Sequence, residues 1–150
     1  MTEFFQFEAD FVESLRCIPM QVRLKLDTCG IKLKLPQWHQ MTQDDRRSLL
    51  ELPCETALDV QAYRHSLTQL VRERTGAVAS TLAIDSAPPW LDTTAIPESV
   101  QTKALEVGVA ITLDQWDQLL VVERFALIKL SRSNHENANF LPALKEFHVI

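Results

Sequence analysis

Apolar residues recur at helical spacing along most of the chain. Val22, Leu26 and Cys29 stand at i, i+4 and i+7, on one face of a helix that Ile18-Pro19 opens and Gly30 ends. Proline suits a first turn, where no amide donor is required, and glycine suits the left-handed residue that closes a helix. Val100, Ala104 and Val107 repeat this face between Pro97 and Gly108. The spacing predicts a helix of about ten residues in each place. A short connector follows, apolar at Ile31, Leu33 and Leu35. Trp38 begins a longer helix that Pro36 opens and that is expected to reach Leu52. Thr112-Leu113-Asp114-Gln115 is a capping box ahead of Trp116 and a second longer helix, expected to reach Leu130.

Ala62, Leu67, Leu70 and Val71 predict a further helix from Ala57 to Arg74, ended by Gly76. Phe140, Leu144 and Phe147 predict a shorter counterpart near the C-terminus. The run from Phe4 to Leu15 is expected to be partly helical from Glu8. Residues 76–95 are rich in small residues and hold Pro88-Pro89, the composition of a linker.

The matching faces belong to a longer repeat. Shifted by 78 residues, positions 18–52 lie ungapped over 96–130 with 12 of 35 identical, including Ile18-Pro19, Gly30, Trp38, Arg46 and Leu49. This predicts a duplicated helical unit. The expected fold class is all-α, two related helical units packed into one compact domain over residues 1–150. Unit one covers about 1–75, a linker about 76–95 and unit two about 96–150. Three glycines in 150 residues speak against an all-β fold with its many tight turns.

Charge narrows the partners. A net charge of −5 gives no general electrostatic reason to bind nucleic acid or an anionic membrane. No apolar run approaches the roughly 20 residues that span a bilayer. The N-terminus lacks the basic and apolar regions of a secretory signal. Three cysteines, an odd number without framework spacing, fit free thiols in a reducing cytosol, so a cytoplasmic location is expected.

The second copy serves as a control on the first. What both keep reads as architecture, and what one alone carries is a candidate for function. Trp38 and Trp116 read as core packing, and Arg46 and Arg124, each after an acid, as packing or capping residues. Lys25 and Lys103 are also shared. The thiols are not: Cys17 lies over Ala95, Cys29 over Val107 and Cys54 over Arg132. Cys29 falls on a face apolar in both copies, where a thiol is an acceptable small hydrophobe. A regulatory pair of Cys17 and Cys29 stands beside that reading. A metal or iron–sulfur site from the cysteines with His39 or His65 lacks any Cys-x-x-Cys or helix-spaced histidine pair, and no metal ligands are assigned.

Charge is the clearest asymmetry. Positions 18–52 carry six basic and four acidic residues, a net of +2, against three and five, a net of −2, over 96–130. Arg16, Arg23, Lys25, Lys32 and Lys34, with only Asp27 against them, form a local basic stretch, either a solvated face or a docking surface for an acidic partner or phosphate-bearing cofactor, with Arg16, Arg23, Lys32 and Lys34 as the candidate contact residues. There is no nucleophile elbow, no Gly-rich phosphate loop and no H-E-x-x-H, and Asp44-Asp45 fits the start of a helix better than acid–base chemistry. No catalytic residues and no cofactor are assigned, and a non-enzymatic protein is expected.

The words Phe5-x-Phe7-Glu8-x-Asp10-Phe11, Arg16-Cys17-Ile18-Pro19-Met20 and Asp27-Thr28-Cys29-Gly30 resemble the nitrate-reductase-associated protein family of cyanobacteria. The resemblance covers most of the chain and implies a cytoplasmic accessory protein needed for active assimilatory nitrate reductase, linked to molybdenum-cofactor functions. It implies no residue-level site. Three functions follow from residues and resemblance together. The first is a non-catalytic maturation factor that binds nitrate reductase, with Arg16, Arg23, Lys32 and Lys34 as its surface. The second is a carrier of a molybdopterin species or iron–sulfur cluster. The third is a thiol-based regulator of nitrate assimilation through Cys17 or Cys29.

Overall fold

A computed structural model describes residues 5–8, 17–133 and 137–150. They are mostly helical, with one very small sheet. Eight α-helices occur among the described residues: α1 (Met20–Cys29), α2 (Leu35–His39), α3 (Gln43–Glu51), α4 (Ala57–Thr75), α5 (Glu98–Glu106), α6 (Leu113–Gln118), α7 (Val121–Arg132) and α8 (Phe140–Glu146). Two strands, β1 (Ile31–Lys32) and β2 (Ser80–Thr81), pair antiparallel, Ile31 with Thr81 and Lys32 with Ser80. The helical expectation holds in the main, and the small antiparallel pair is added to it by strands too far apart in sequence to leave a local signal.

The chain divides into two compact units, Glu8 and the described residues to Asp85 forming the first, Phe5–Phe7 and Ser86–Ile150 the second. In the first, α1 packs on α3 and α4, and α2 on α4. Val22, Cys29, Trp38, Leu49, Tyr63 and Leu67 fill its centre. In the second, α7 packs on α5, α8 and the 3₁₀ turn Pro89–Leu91. Trp116, Phe125, Leu127, Ile128 and Phe140 have no exposed surface there.

Local chemistry accounts for the helix ends. Gly30 and Gly76 close α1 and α4 in the left-handed region, at φ 77° and 73°, where a β-carbon would be strained. Pro19 and Pro97 sit one position earlier than expected, as extended N-caps of α1 and α5. Neither offers a side-chain acceptor. At α1 the buried Glu8 carboxylate takes that role, accepting the Met20 amide at 3.2 Å.

The two longer helices expected to reach Leu52 and Leu130 are each broken in two. The first breaks because Thr42 starts a new helix, accepting the Asp45 amide while Asp45 accepts that of Thr42. The second breaks at Leu120, whose amide donates to Glu123 at 2.8 Å. An arginine stabilises each break. Arg46 donates to the Trp38 and His39 carbonyls, both at 3.0 Å. Arg124 donates to the Trp116, Asp117 and Leu119 carbonyls, and its Nε to Trp90 at 2.7 Å. These carbonyls belong to helix C-terminal turns, which lack intrahelical partners and attract cations.

Residues 76–95, expected as a linker, also pack. Besides β2 they hold Trp90, whose ring meets Phe125 edge-on at 5.1 Å between centroids, and Asp92, whose carbonyl accepts the Trp116 indole N–H at 2.9 Å. Near the N-terminus only the 3₁₀ turn Gln6–Glu8 represents the helix expected from Glu8; residues 9–16 lie outside the described residues. In the second unit Phe5 and Phe7 stack on each other and meet Phe147 edge-on, and the Glu146 carboxylate accepts both the Gln6 and Phe7 amides.

Candidate functional site

The described part of the basic stretch starts on α1 and ends at Lys34, the N-cap of α2. Arg23 is half-buried on α1, one step round from the fully buried Val22. Past the Gly30 turn the chain is extended, and burial alternates: Ile31 in, Lys32 out, Leu33 in, Lys34 out. Residues two apart in an extended chain face the same side about 7 Å apart, so Lys32 and Lys34 form a solvent-facing pair. Among the described residues neither ammonium has a partner. Lys34 also fixes the start of α2, its amide donating to Gln37 Oε1 at 3.0 Å. Arg23 stands about 9 Å back along the α1 axis from Cys29. Arg16 lies outside the described residues.

Unit two shows what makes this connector different. There the Gln101 amide holds the connector by two hydrogen bonds, donating to the Ile111 carbonyl at 2.8 Å and accepting its amide at 3.0 Å. The position 78 residues earlier is Arg23, which carries no acceptor. The unit-one connector is satisfied instead by β2, and the Leu82 amide extends the pairing by donating to Gly30 at 2.8 Å.

The thiols sit on the inner side of the same region. Cys29, the last residue of α1, is fully buried with Sγ 3.7 Å from the Leu26 carbonyl. Burial pushes its thiol up, a shift only partly offset by the Ile31 amide and by Arg64. Cys17 is half-buried ahead of α1. Cys54, partly buried, packs against the core that holds Cys29. Burial and the neighbouring Cys29 push it up to about 11. Both therefore stay protonated at neutral pH, the state in which cysteine is a poor nucleophile and metal ligand.

Lys25 completes the inner layer. Its ammonium donates to the Leu50 and Leu52 carbonyls, both at 2.6 Å, and lies 5.8 Å from the Tyr63 ring centre. It thereby caps the C-terminus of α3 with a cation. Burial lowers its pKa, while Cys54 and Glu55 act in the opposite direction. Lys103, the identical residue of unit two, instead pairs on the surface with Glu106 at 3.1 Å. Tyr63 donates to Leu49 at 2.8 Å, and burial holds its phenol far above the ordinary range. These groups form a satisfied polar layer under the connector, with no proton-transfer pair poised in it.

Elsewhere, Glu98, Ser99, Thr102, Lys103, Glu106 and Ser131 line a depression of about 390 Å³ on α5 and α7. Among the described residues no group of three or more His, Cys, Asp or Glu is placed to hold a metal ion. No helix among them is long and apolar enough to cross a membrane.

The family model described as conserved nitrate reductase-associated protein matches residues 4–147. The chain belongs to this family. The match takes in all eight helices, both strands and the Phe5-x-Phe7-Glu8 word that ties the N-terminal segment to Phe147, Glu146 and the start of α1. No curated protein and no solved structure matches the chain. Among the described residues Lys32 and Lys34 face solvent, whereas Cys29 and Lys25 lie in or against the core beneath them.

Proposed function

We propose that this protein is a non-catalytic maturation factor that binds assimilatory nitrate reductase and acts while the molybdenum cofactor is inserted. The observation that carries the reading is the family match over nearly the whole chain, whose description names association with nitrate reductase. The exposed Lys32–Lys34 pair supports a contact surface on unit one, and Arg23 and Arg16 are the further basic residues proposed for it. Exposed, unpaired lysines accelerate encounter with an acidic partner and set its register more than they add affinity. A cytoplasmic site of action accompanies this reading, as it does any partner of an assimilatory enzyme.

The same proposal includes an origin for the surface. Two units related by duplication account for the parallel order α1–α2–α3 and α5–α6–α7 and for arginines at equivalent positions capping equivalent breaks. On that view the lysine pair is an addition specific to unit one, since Ala110 and Thr112 occupy the corresponding positions of unit two.

Charge reversal at Arg23, Lys32 and Lys34 together tests the surface. Co-purification with the reductase is expected to fall at least tenfold and to weaken with salt in the wild type. Molybdenum and cofactor content of reductase made without the protein tests the role. Enzyme lacking cofactor is the expected result, whereas fully loaded enzyme would overturn it. Unchanged co-purification of the charge-reversed protein would overturn the surface assignment alone.

A further inference from the structure

Arg64 lies far beyond the basic stretch in sequence, and the packing of α4 on α1 carries it back there. Its Nη1 donates to the carbonyl of Cys29, the last residue of α1, at 2.8 Å. The same nitrogen lies 3.1 Å from where a β-carbon on Gly30 would stand. Lys32 follows Gly30 by two residues, a Cα separation of about 7 Å at most. The bond to Cys29 caps the C-terminal turn of α1 and fixes the place of the half-buried guanidinium. A guanidinium carries five N–H donors, and this is the one bond it makes among the described residues. With Nη1 engaged, the edge formed by Nε and Nη2 still offers two parallel donors.

We propose that Arg64 is a third cation of the unit-one contact surface, and that this surface takes an acidic, extended segment of a protein partner. One carboxylate of that segment sits on the Nε–Nη2 edge of Arg64, and others meet Lys32 and Lys34. The proposal rests on the contact-surface reading above and adds to it a residue and a partner chemistry. Three features choose the occupant. The fork of a guanidinium matches a carboxylate, which takes both donors at once. Alternate residues of an extended peptide repeat at about 7 Å, the spacing of Lys32 and Lys34 along their own extended chain. Both lysines are exposed, whereas a site for a small anion encloses most of its ligand. Against the three cations stand Asp27, whose charge acts on Cys29, and Asp85, next to the Ile84 side chain packed at Gly30. The local excess of positive charge is small, so association is weak and salt-sensitive. The net charge of −5 repels an acidic segment from the chain as a whole, which makes this patch decide where it lands.

Fluorescence anisotropy of fluorescein-labelled hexaglutamate, titrated with the full chain, tests the proposal. Binding is expected at about 20 mM salt and is expected to weaken at least about fivefold by about 150 mM. Arg64→Gln removes the fork and is expected to weaken binding at least about fivefold. Arg64→Lys keeps a charge at the C-terminus of α1 but not the fork, and is expected to weaken it by about threefold. Lys32→Gln/Lys34→Gln changes exposed side chains only, so its expected loss of binding reads the surface without disturbing the core. Lys145→Gln, at an exposed position of α8, is expected to leave binding unchanged. Binding indifferent to both Arg64 variants would overturn the role of Arg64. No binding of hexaglutamate, or an equal loss on Lys145→Gln, would overturn the acidic segment as occupant. So would displacement of the peptide by micromolar inorganic pyrophosphate, the mark of a small-anion site. Failure of the reductase reading is distinct. Reductase co-purification that survives charge reversal at Arg23, Lys32 and Lys34, beside hexaglutamate binding that depends on Arg64, would remove the reductase as partner and uphold the binding chemistry.

Discussion

Replacing Arg124 by leucine removes a buried guanidinium that donates to four backbone carbonyls: Leu119 at 2.6 Å, Trp90 at 2.7 Å, Trp116 at 3.2 Å and Asp117 at 3.4 Å. Only 6% of the residue is exposed. Hydrogen bonds to a charged group contribute about 1.5–3 kcal/mol each, but the two long ones are weak and the Asp117 carbonyl can rehydrate. Two well-made bonds and two stranded buried acceptors give an expected loss of about 3–5 kcal/mol, a large share of a typical stability of about 5–15 kcal/mol. Arg46 supplies the internal comparison. It reaches only two carbonyls, is half-exposed and lies 5.9 Å from the Trp38 ring centre, so Arg46→Leu is expected to cost about 1–1.5 kcal/mol. Arg124→Lys keeps the charge but not the fork, and is expected to fall between them. Urea unfolding followed by tryptophan fluorescence and far-UV circular dichroism measures all three, with the change read from the midpoint at constant slope. An Arg124→Leu loss no larger than that of Arg46→Leu would refute the idea that the buried guanidinium holds the α6–α7 break.

Three further outcomes are expected. Arg74 and the Thr42 groups hold the Asp45 carboxyl below the ordinary carboxylate range. A depressed folded value means the stabilisation is full above the unfolded value near 4 and is lost as pH falls through the folded one, so urea midpoints of wild type and Asp45→Asn differ most at neutral pH and draw together as pH falls below the ordinary carboxylate range. Gly30→Ala is expected to destabilise more than Gly76→Ala. Both carry the left-handed strain of about 1–2 kcal/mol, but only at Gly30 would the new carbon meet Ile84, at 2.8 Å, and Arg64, at 3.1 Å. Mass spectrometry after brief alkylation of the native protein at pH 8 is expected to leave Cys29 unmodified and Cys54 slow; rapid labelling of Cys29 would contradict its burial.

The helices were legible where one face repeats and a cap is local. Val22, Leu26 and Cys29 mark α1, Gly30 and Gly76 end α1 and α4, and Thr112 with Gln115 starts α6. The breaks at Thr42 and Leu120 were hidden because apolar spacing carries on through them from Trp38 to Leu49 and from Trp116 to Leu127. The T-x-x-D pattern at Thr42 and Asp45 was the available signal for the first break. Leu120 gives only half of that signal, an acid without a capping hydroxyl. Of the candidate surface, the alternation Ile31, Lys32, Leu33, Lys34 was readable as two residues in and two out. Contacts between residues distant in sequence were not. Cys54 beside the core of Cys29, Trp90 over Phe125 and β2 beside β1 are set by tertiary packing, and nothing in their own neighbourhoods announces them.

The contrast between Arg23 and Gln101 explains why the two connectors differ at the surface. A glutamine at that position satisfies the connector from within its own unit, because one amide both donates to Ile111 and accepts from it. Gln115 adds a further tie there, donating to the Val149 carbonyl at 3.0 Å. An arginine can only donate. The unit-one connector therefore draws its second set of hydrogen bonds from residues 80–82, about fifty residues further along the chain. The arginine at position 23 thus goes with a connector held by a strand, and that connector carries an exposed lysine pair where Ala110 and Thr112 stand 78 residues later. The proposed contact surface therefore rests on the lysine pair itself, and the charge-reversed protein is its direct test.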